Sequence, residues 1–416
     1  MTKKDILELK RRLKKEACTI TRLTGCYVDG DKNEIVKLNE TFLNLEDDEF
    51  DKYLDIAKKV LSGTLGNNLL ELEFPMDEEF SGGRQQFFMG LKASALENED
   101  MLDRFYEQVI EKYDYVGNYL ILLFHDRYDV MTKTNDNLAL DESEEVYEYL
   151  LCAICPVTLS KPGLGYREDE NRIGPRIRDW IVGVPETGFL FPAFTDRSSD
   201  IHAALFYTRN TKEPHVEFME QILGCNSKRT ATEKKISFNA MMDHALQREP
   251  GEDNTLLMEF QENLNLFVEE KNAMREKTDE PHLLTGSELN TLILDSGIEE
   301  QTAEAITKSY TEEFGDMPPE AEQLLDTKAL EANAPKKRER ELVQQVTTLT
   351  EQLEHNNFGP ITDTEPPAVK TYDVILRVKP EKATQIHTQL VNGQKCLVIP
   401  MEEDECATIN GVHTTV

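Results

Sequence analysis

Apolar residues recur at both helical and strand periods along the first half of the chain, and almost wholly at helical period along the second. Ile6, Leu9, Leu13 and Ala17 predict a first, amphipathic helix. Thr19 to Leu38 reads as a hairpin turning at Asp29-Gly30, a pair suited to a tight turn with positive backbone angles. Phe50, Leu54, Ala57 and Leu61 predict the next helix, ended by Ser62-Gly63. A strand over Asn68–Phe74, helices over 84–97 and 99–113, and a strand over Asn118–His125 follow. The period of Glu145–Leu159 fits either strand or helix. Pro156 would break a helix and the run has no polar face, so a buried strand is the reading. Residues 160–202 are rich in Gly and Pro, with apolar islands at Trp180–Val184 and Phe189–Phe194, before a strand at Ala203–Thr208.

After Cys225 the pattern becomes helical. Thr230 with Glu233 and Thr285 with Glu288 are capping-box pairs that mark helix starts. Helices are predicted near 230–248, 254–275, 286–295, 299–314, 319–333 and 337–355. Leu342, Val346, Leu349 and Leu353 follow a short coiled-coil spacing, read here as a helix packed on its neighbours. Residues 356–370 read as a linker. Tyr372–Val378, a helix over Glu381–Leu390, and Cys396–Pro400 read as a small β-α-β unit. The fold class is therefore α+β: a mixed domain with a largely antiparallel sheet (1–225), a helical region (226–355), the linker (356–370) and a small C-terminal αβ unit (371–416).

Composition narrows this picture without naming a function. The chain has 416 residues, 39% hydrophobic and 30% charged, which fits ordinary globular domains. Its apolar runs fall short of the ~20 residues that cross a bilayer, and no signal-peptide core stands at the start, so a cytoplasmic location is expected. Seven scattered cysteines suit reduced thiols rather than a disulfide framework. A formal net charge of −33 repels nucleic acid and anionic membrane over most of the surface. Residues 1–17 reverse that trend with seven basic side chains, Lys10, Arg11, Arg12, Lys14 and Lys15 among them.

The densest polar chemistry lies between 161 and 202. Arg167, Glu168, Asp169, Glu170, Arg172 and Arg176 run close together, and Asp196, Arg197, Asp200 and His202 follow the second apolar island. Arginine forks suit phosphate or carboxylate, clustered acids suit a hard cation, and the two together can also neutralise one another as an internal network. Other motifs point to structure. Cys152 and Cys155 sit three apart in the expected strand, on opposite faces, so they read as buried structural thiols. Gly163-Leu-Gly165 is a fragment of a dinucleotide fingerprint and lacks its third glycine. Ser81-Gly-Gly-Arg84 offers bare helix-start amides for an anion or a simple cap. His125 beside Asp126 offers an acid/base pair or a structural histidine. No Gly-Lys-Ser/Thr phosphate loop, His-Glu-x-x-His pair or Gly-x-Ser-x-Gly elbow is present, and no cofactor or metal set is implied.

Thr19–Asp29 (TITRLTGCYVD), Leu61–Phe74 (LSGTLGNNLLELEF), Gly163–Arg172 (GLGYREDENR) and Gly188–His202 (GFLFPAFTDRSSDIH) resemble bacterial proteins grouped as domain-of-unknown-function family 4317. The likeness continues through Leu292–Ile306 and Tyr372–Val412. It implies a bacterial, anaerobe-associated setting and supplies no activity or site residue. A looser architectural analogy links the hairpin, acidic helix and helical second half to nucleoid-associated proteins.

Three functions remain. The first is a non-catalytic binding or scaffold protein that meets a protein or small anionic ligand through the 161–202 loops. The second is a nucleic-acid-associated protein using Lys10, Arg11, Arg12, Lys14 and Lys15; the narrow, aromatic-free apolar stripe of that helix disfavours a membrane. The third is a metal- or phosphate-dependent enzyme using Asp169, Glu170, Asp196 and His202.

Overall fold

The computed structural model describes residues 1–133, 139–246, 255–274, 281–315 and 317–331, a few positions between 334 and 348, and four strands between 387 and 415. Its contacts form two units, Met1–Glu339 and Arg340–Val416.

In the first unit, α1 (Lys3–Arg12) precedes β1 (Ile20–Val28) and β2 (Glu34–Thr41). Then come α2 (Asp47–Val60), β3 (Leu69–Glu73), α3 (Arg84–Ala93), α4 (Glu99–Lys112), β4 (Asn118–Lys133) and β5 (Ala139–Leu159). Short strands follow: β6 (Leu164–Arg167), β7 (Arg172–Pro175), β8 (Trp180–Val182), β9 (Thr187–Phe191), β10 (Ala193–Thr195), β11 (Ser198–Asp200) and β12 (Ala203–Thr208). Seven strands pair in the order β2-β1-β4-β5-β9-β12-β3, and β8 joins the free end of β5. Every pairing within this sheet is antiparallel, so the α+β reading with an antiparallel sheet holds.

The doubtful segment 145–159 is strand, and the structure explains its missing polar face. Leu150, Cys152 and Ile154 point to a core with α3 and α4, where they meet Phe88, Phe105 and Tyr106. Leu151, Ala153 and Cys155 point the other way, to a core with α1 and α2 that includes Leu9, Phe50 and Leu54. Helices cover both faces, so alternation of side chains no longer appears as alternation of polarity.

Two local expectations are corrected. The β1–β2 loop runs over 29–33, and its positive φ falls on Lys32 (63°) rather than Gly30. The Asp29 carboxylate organises it by accepting from the backbone N–H of Asp31 (2.9 Å) and Asn33 (2.8 Å). At 81–84 no anion is needed, because Glu78 Oε2 already accepts from the Arg84 N–H at 2.6 Å.

The helical region contains α5 (Ala231–Ala245), α6 (Thr255–Met274), α7 (Gly286–Asp295) and α8 (Glu300–Phe314). Both expected capping boxes form, at Thr230 with Glu233 and at Thr285 with Glu288. Phe238, Phe260, Leu264, Leu289, Ile293 and Tyr310 build their shared core. The helix expected over 319–333 is instead a 3-10 turn at Ala321–Leu324 followed by helix from 327, the two separated by the extended backbone of Leu325 (φ −64°, ψ 133°).

In the second unit the expected helix over Glu381–Leu390 fails at its described end. His387–Val391 (β13) pairs with Gln394–Val398 (β14), and Cys406–Ile409 (β15) with Val412–Thr415 (β16). Val391 faces Gln394 and Ile409 faces Val412, leaving two residues between each pair: Asn392-Gly393 and Asn410-Gly411. Asn-Gly is the strongest short hairpin signal, and the described residues of this part form two β-hairpins, with strand where the helix was expected at His387–Leu390. The strand expected at Tyr372–Val378, the linker 356–370 and most of the helix 337–355 lie outside the described residues.

Candidate functional site

Beyond Leu159 the chain leaves the sheet and returns at Trp180, and the excursion is closed at its base. Ser160 N donates to Asp179 O (2.8 Å), Asp179 N to Ser160 Oγ (3.1 Å), and Arg178 Nε to Ser160 O (2.7 Å). Between these anchors β6 and β7 form a two-stranded ribbon pairing Leu164 with Pro175, Gly165 with Gly174, Tyr166 with Ile173 and Arg167 with Arg172. Directly paired residues share a face. One face is therefore Leu164, Tyr166, Ile173 and Pro175; the other is Gly165, Gly174, Arg167 and Arg172.

The two faces are treated differently. On the polar face Arg167 meets Glu170 at 3.1 Å and donates twice to Pro175 O (3.2 and 2.9 Å), while Arg172 also reaches Glu170. Arg167 lies across Gly174, where a Cβ would meet its Nε at 3.4 Å. On the apolar face nothing comparable occurs: Leu164 is 76% exposed, Tyr166 62% and Ile173 63%. The apolar island at Trp180–Val184 is also surface, with Trp180 56% exposed and Ile181 and Val182 exposed. Arg176 and the tip residues Glu168 and Asp169 are exposed as well. Asn171, at φ 45°, accepts from the Tyr166 hydroxyl at 2.7 Å and fixes the tip.

The remaining candidates lie elsewhere. Phe191 pairs with Leu150 and Trp180 with Leu159, so about 30 Å of extended β5 separates the two departure points. The acids of the ribbon tip and those of 196–202 thus do not converge, and no group of His, Cys, Asp or Glu suited to a metal ion occurs among the described residues. Asp196 and Arg197 are the central residues of the β10–β11 turn, both at positive φ (49° and 64°), as a two-residue hairpin requires. Arg197 reaches Glu8 of α1 at 3.3 Å. Asp200 accepts from the His202 N–H at 3.1 Å, and His202 Nδ1 lies 2.8 Å from Glu79, whose hydrogen bond raises the imidazole pKa.

Part of the basic N-terminal segment is engaged within the protein. Lys10 donates to Ser62 Oγ (2.6 Å), Lys15 meets Asp47 (2.5 Å), and Arg12 donates to Thr19 Oγ1 (2.7 Å) while stacking 3.7 Å from the centre of the Tyr128 ring. Arg11 and Lys14 are exposed. Thr19 in turn donates to Asp126 Oδ1 (2.6 Å), and Tyr149 donates to Oδ2 (2.6 Å). This network ties α1 to β1, β4 and β5. Sequence reading missed it because the bond that joins its two halves, Thr19 to Asp126, spans 107 positions.

His125 and Asp126 occupy opposite faces of β4 and serve structure. His125 Nδ1 lies 2.6 Å from Thr21 Oγ1 and Nε2 lies 3.1 Å from Glu148. Burial holds the imidazole pKa below its usual 6.5, against the raising influence of Glu148 and Asp126 and alongside that of Lys92. The unfolded chain therefore takes up this proton more readily. The His125 contribution is present above pH 6.5 and is lost as pH falls through the lower folded value. His125→Gln is expected to flatten the acid limb of stability against pH in urea unfolding; an unchanged slope would count against this assignment. The cysteine pair is inert for the same reason: burial pushes Cys155 up to about 12 and Cys152 well above its usual value.

No helix among the described residues is long and apolar enough to cross a membrane. Residues 1–412 match a family described as domain of unknown function (DUF4317). No curated protein matches the chain.

Proposed function

We propose, on the premise that the chain belongs to the DUF4317 family and that this description carries no activity, that it is a non-catalytic protein-binding protein. Its contact surface is the β6–β7 ribbon with the adjoining β8. One observation carries this reading: the ribbon folds its arginines over one face and leaves Leu164, Tyr166 and Ile173 bare on the other. A lone two-stranded ribbon is marginal in water, and a bare apolar face on one is stabilised by something that covers it.

The local density of exposed apolar side chains supports the same reading: eight lie exposed between Leu164 and Val184, where single scattered apolar residues would need no explanation. Tyr, Trp and Arg, which dominate binding hot spots, all occur exposed within this segment as Tyr166, Trp180 and Arg176. The arginines alone do not carry the argument, because Arg167 and Arg172 share Glu170 in exposed pairs, each worth only about 0–1 kcal/mol.

Tyr166→Asp combined with Ile173→Asp is expected to abolish capture of partners from lysate. Arg167→Ala with Arg172→Ala should weaken capture less, and circular dichroism should stay native for both. A partner set unchanged by the double aspartate variant would end this proposal.

A further inference from the structure

We infer that Thr21 is an acyl-acceptor site: its hydroxyl, with His125 as base and Glu148 orienting the imidazole, takes an acyl group from a small activated donor. The site shares no residue with the ribbon, and the binding reading stands or falls without it. The contacts that make His125 structural also give it a chemical use. Thr21 Oγ1 lies 2.6 Å from His125 Nδ1, and His125 Nε2 lies 3.1 Å from Glu148 Oε1. A carboxylate only accepts, so Nε2 carries the proton and Nδ1 presents a lone pair. The Thr21 hydroxyl therefore donates to Nδ1, its nearer acceptor, rather than to His125 O at 3.2 Å. A nucleophile, its base and a third group that orients the base make the arrangement that activates a hydroxyl.

A break in strand register builds this contact. Along β1, Leu23 joins the core with α1 and α2, whereas Cys26 and Val28 join the core with α3 and α4. Regular alternation carried back to Thr21 would turn it with Leu23, away from the face that His125 shares with Leu123. The register instead shifts between Ile20, which pairs with Asp126, and Arg22, which pairs with His125. Thr21 is thus the extra residue of a β-bulge, a device that re-aims a side chain, and here it sets the hydroxyl against the His125 ring. Arg22, the other bulge residue, is drawn to Glu97 (2.8 Å) and Asn39 (3.2 Å). Thr21 is exposed while His125 is 3% exposed, so the nucleophile faces solvent and its base is sheltered. Burial keeps the imidazole neutral at pH 7 despite Glu148 of β5 and Asp126, with Lys92 of α3 acting in the same direction as burial. A neutral imidazole is what a general base requires.

Attack forms a bond from Thr21 Oγ1 to the acyl carbon and breaks the bond from that carbon to the leaving group. The hydroxyl proton passes to His125 Nδ1, where Glu148 stabilises the imidazolium, and then to the departing atom. An activated donor has a good leaving group, whereas the threonine ester has a poor one and persists. The event is therefore a single modification and not turnover. The experiment treats full-length protein with p-nitrophenyl acetate and follows acetyl on Thr21 by peptide mass spectrometry, with the exposed Thr41 of β2 as internal reference. Thr21 is expected to acetylate about 100-fold faster than Thr41, and His125→Gln to remove that advantage. Thr21→Ser should keep it. The wild-type rate should rise as the imidazole loses its proton below pH 6.5 and stay level above it. That profile uses no variant, so it decides the matter should His125→Gln fail to fold. Acetylation of Thr21 no faster than of Thr41, unchanged in a folded His125→Gln protein, or climbing with pH without a plateau overturns the proposal.

Discussion

Asp126→Ala is expected to lower folding stability by about 3–4 kcal/mol, read as a drop in the urea midpoint with an unchanged slope. The Asp126 side chain is buried in a residue only 1% exposed, and three donors converge on it. Thr19 Oγ1 and Tyr149 OH each stand at 2.6 Å, and the Arg127 N–H at 2.8 Å. A hydrogen bond to a charged group contributes about 1.5–3 kcal/mol, and a buried donor left without an acceptor loses about 1–3 kcal/mol. Tyr149 has no route to water and suffers most. Thr19 suffers less, since it is exposed and its hydroxyl can donate to water instead.

Tyr149→Phe is the control for this mechanism. It removes the stranded hydroxyl, so in the Asp126→Ala background it should be neutral or stabilising, whereas alone it should destabilise. Equal effects in both backgrounds would mean that the two groups act independently, and a loss under 1 kcal/mol for Asp126→Ala would reject the network account. The alanine should also loosen α1, which this carboxylate reaches through Thr19 and Arg12.

The sequence made the long elements legible and the short ones obscure, for a physical reason. A helix such as α8 repeats its apolar stripe over several turns, and Thr285 with Glu288 marks the start of α7 through side chain and backbone at once. β6 and β7 are four residues each, too short for alternation to stand out among neighbouring charges, Gly163 and Pro175. Leu164 and Tyr166 are two apart, but only the β6–β7 register sets Ile173 opposite Tyr166 and gathers the three on one face. The candidate residues from 161 to 202 form one run in sequence, but β5 places their two halves at opposite ends. Only the pairing of Trp180 with Leu159 and Phe191 with Leu150 reveals that. By contrast Asn392-Gly393 and Asn410-Gly411 were readable signals, overridden by an apparent helical period between Glu381 and Leu390.

Phe88→Ala is expected to cost about 3–5 kcal/mol and to leave capture of partners from lysate unchanged at temperatures where the variant remains folded. Phe88 is fully buried at the junction of α3 with the sheet, with ring centroids 5.2 Å from Phe189, 5.8 Å from Phe191 and 6.0 Å from Phe105. Truncation removes those contacts and leaves a cavity that cannot collapse, since α3 is fixed at its start by Glu78 and β9 is held by β5 and β12 on both sides. Its destabilisation should thus approach the full cavity term. The ribbon leaves β5 nine positions beyond Leu150, where Phe191 pairs, and its base is closed independently by Ser160, Arg178 and Asp179. Stability and binding should therefore separate: Phe88→Ala shifts the urea midpoint alone, and the Tyr166/Ile173 aspartate pair abolishes partner capture alone. A folded Phe88→Ala protein that no longer captures partners would show instead that the ribbon takes its conformation from the α3 core, and the surface would then have to be sought where that core reaches solvent.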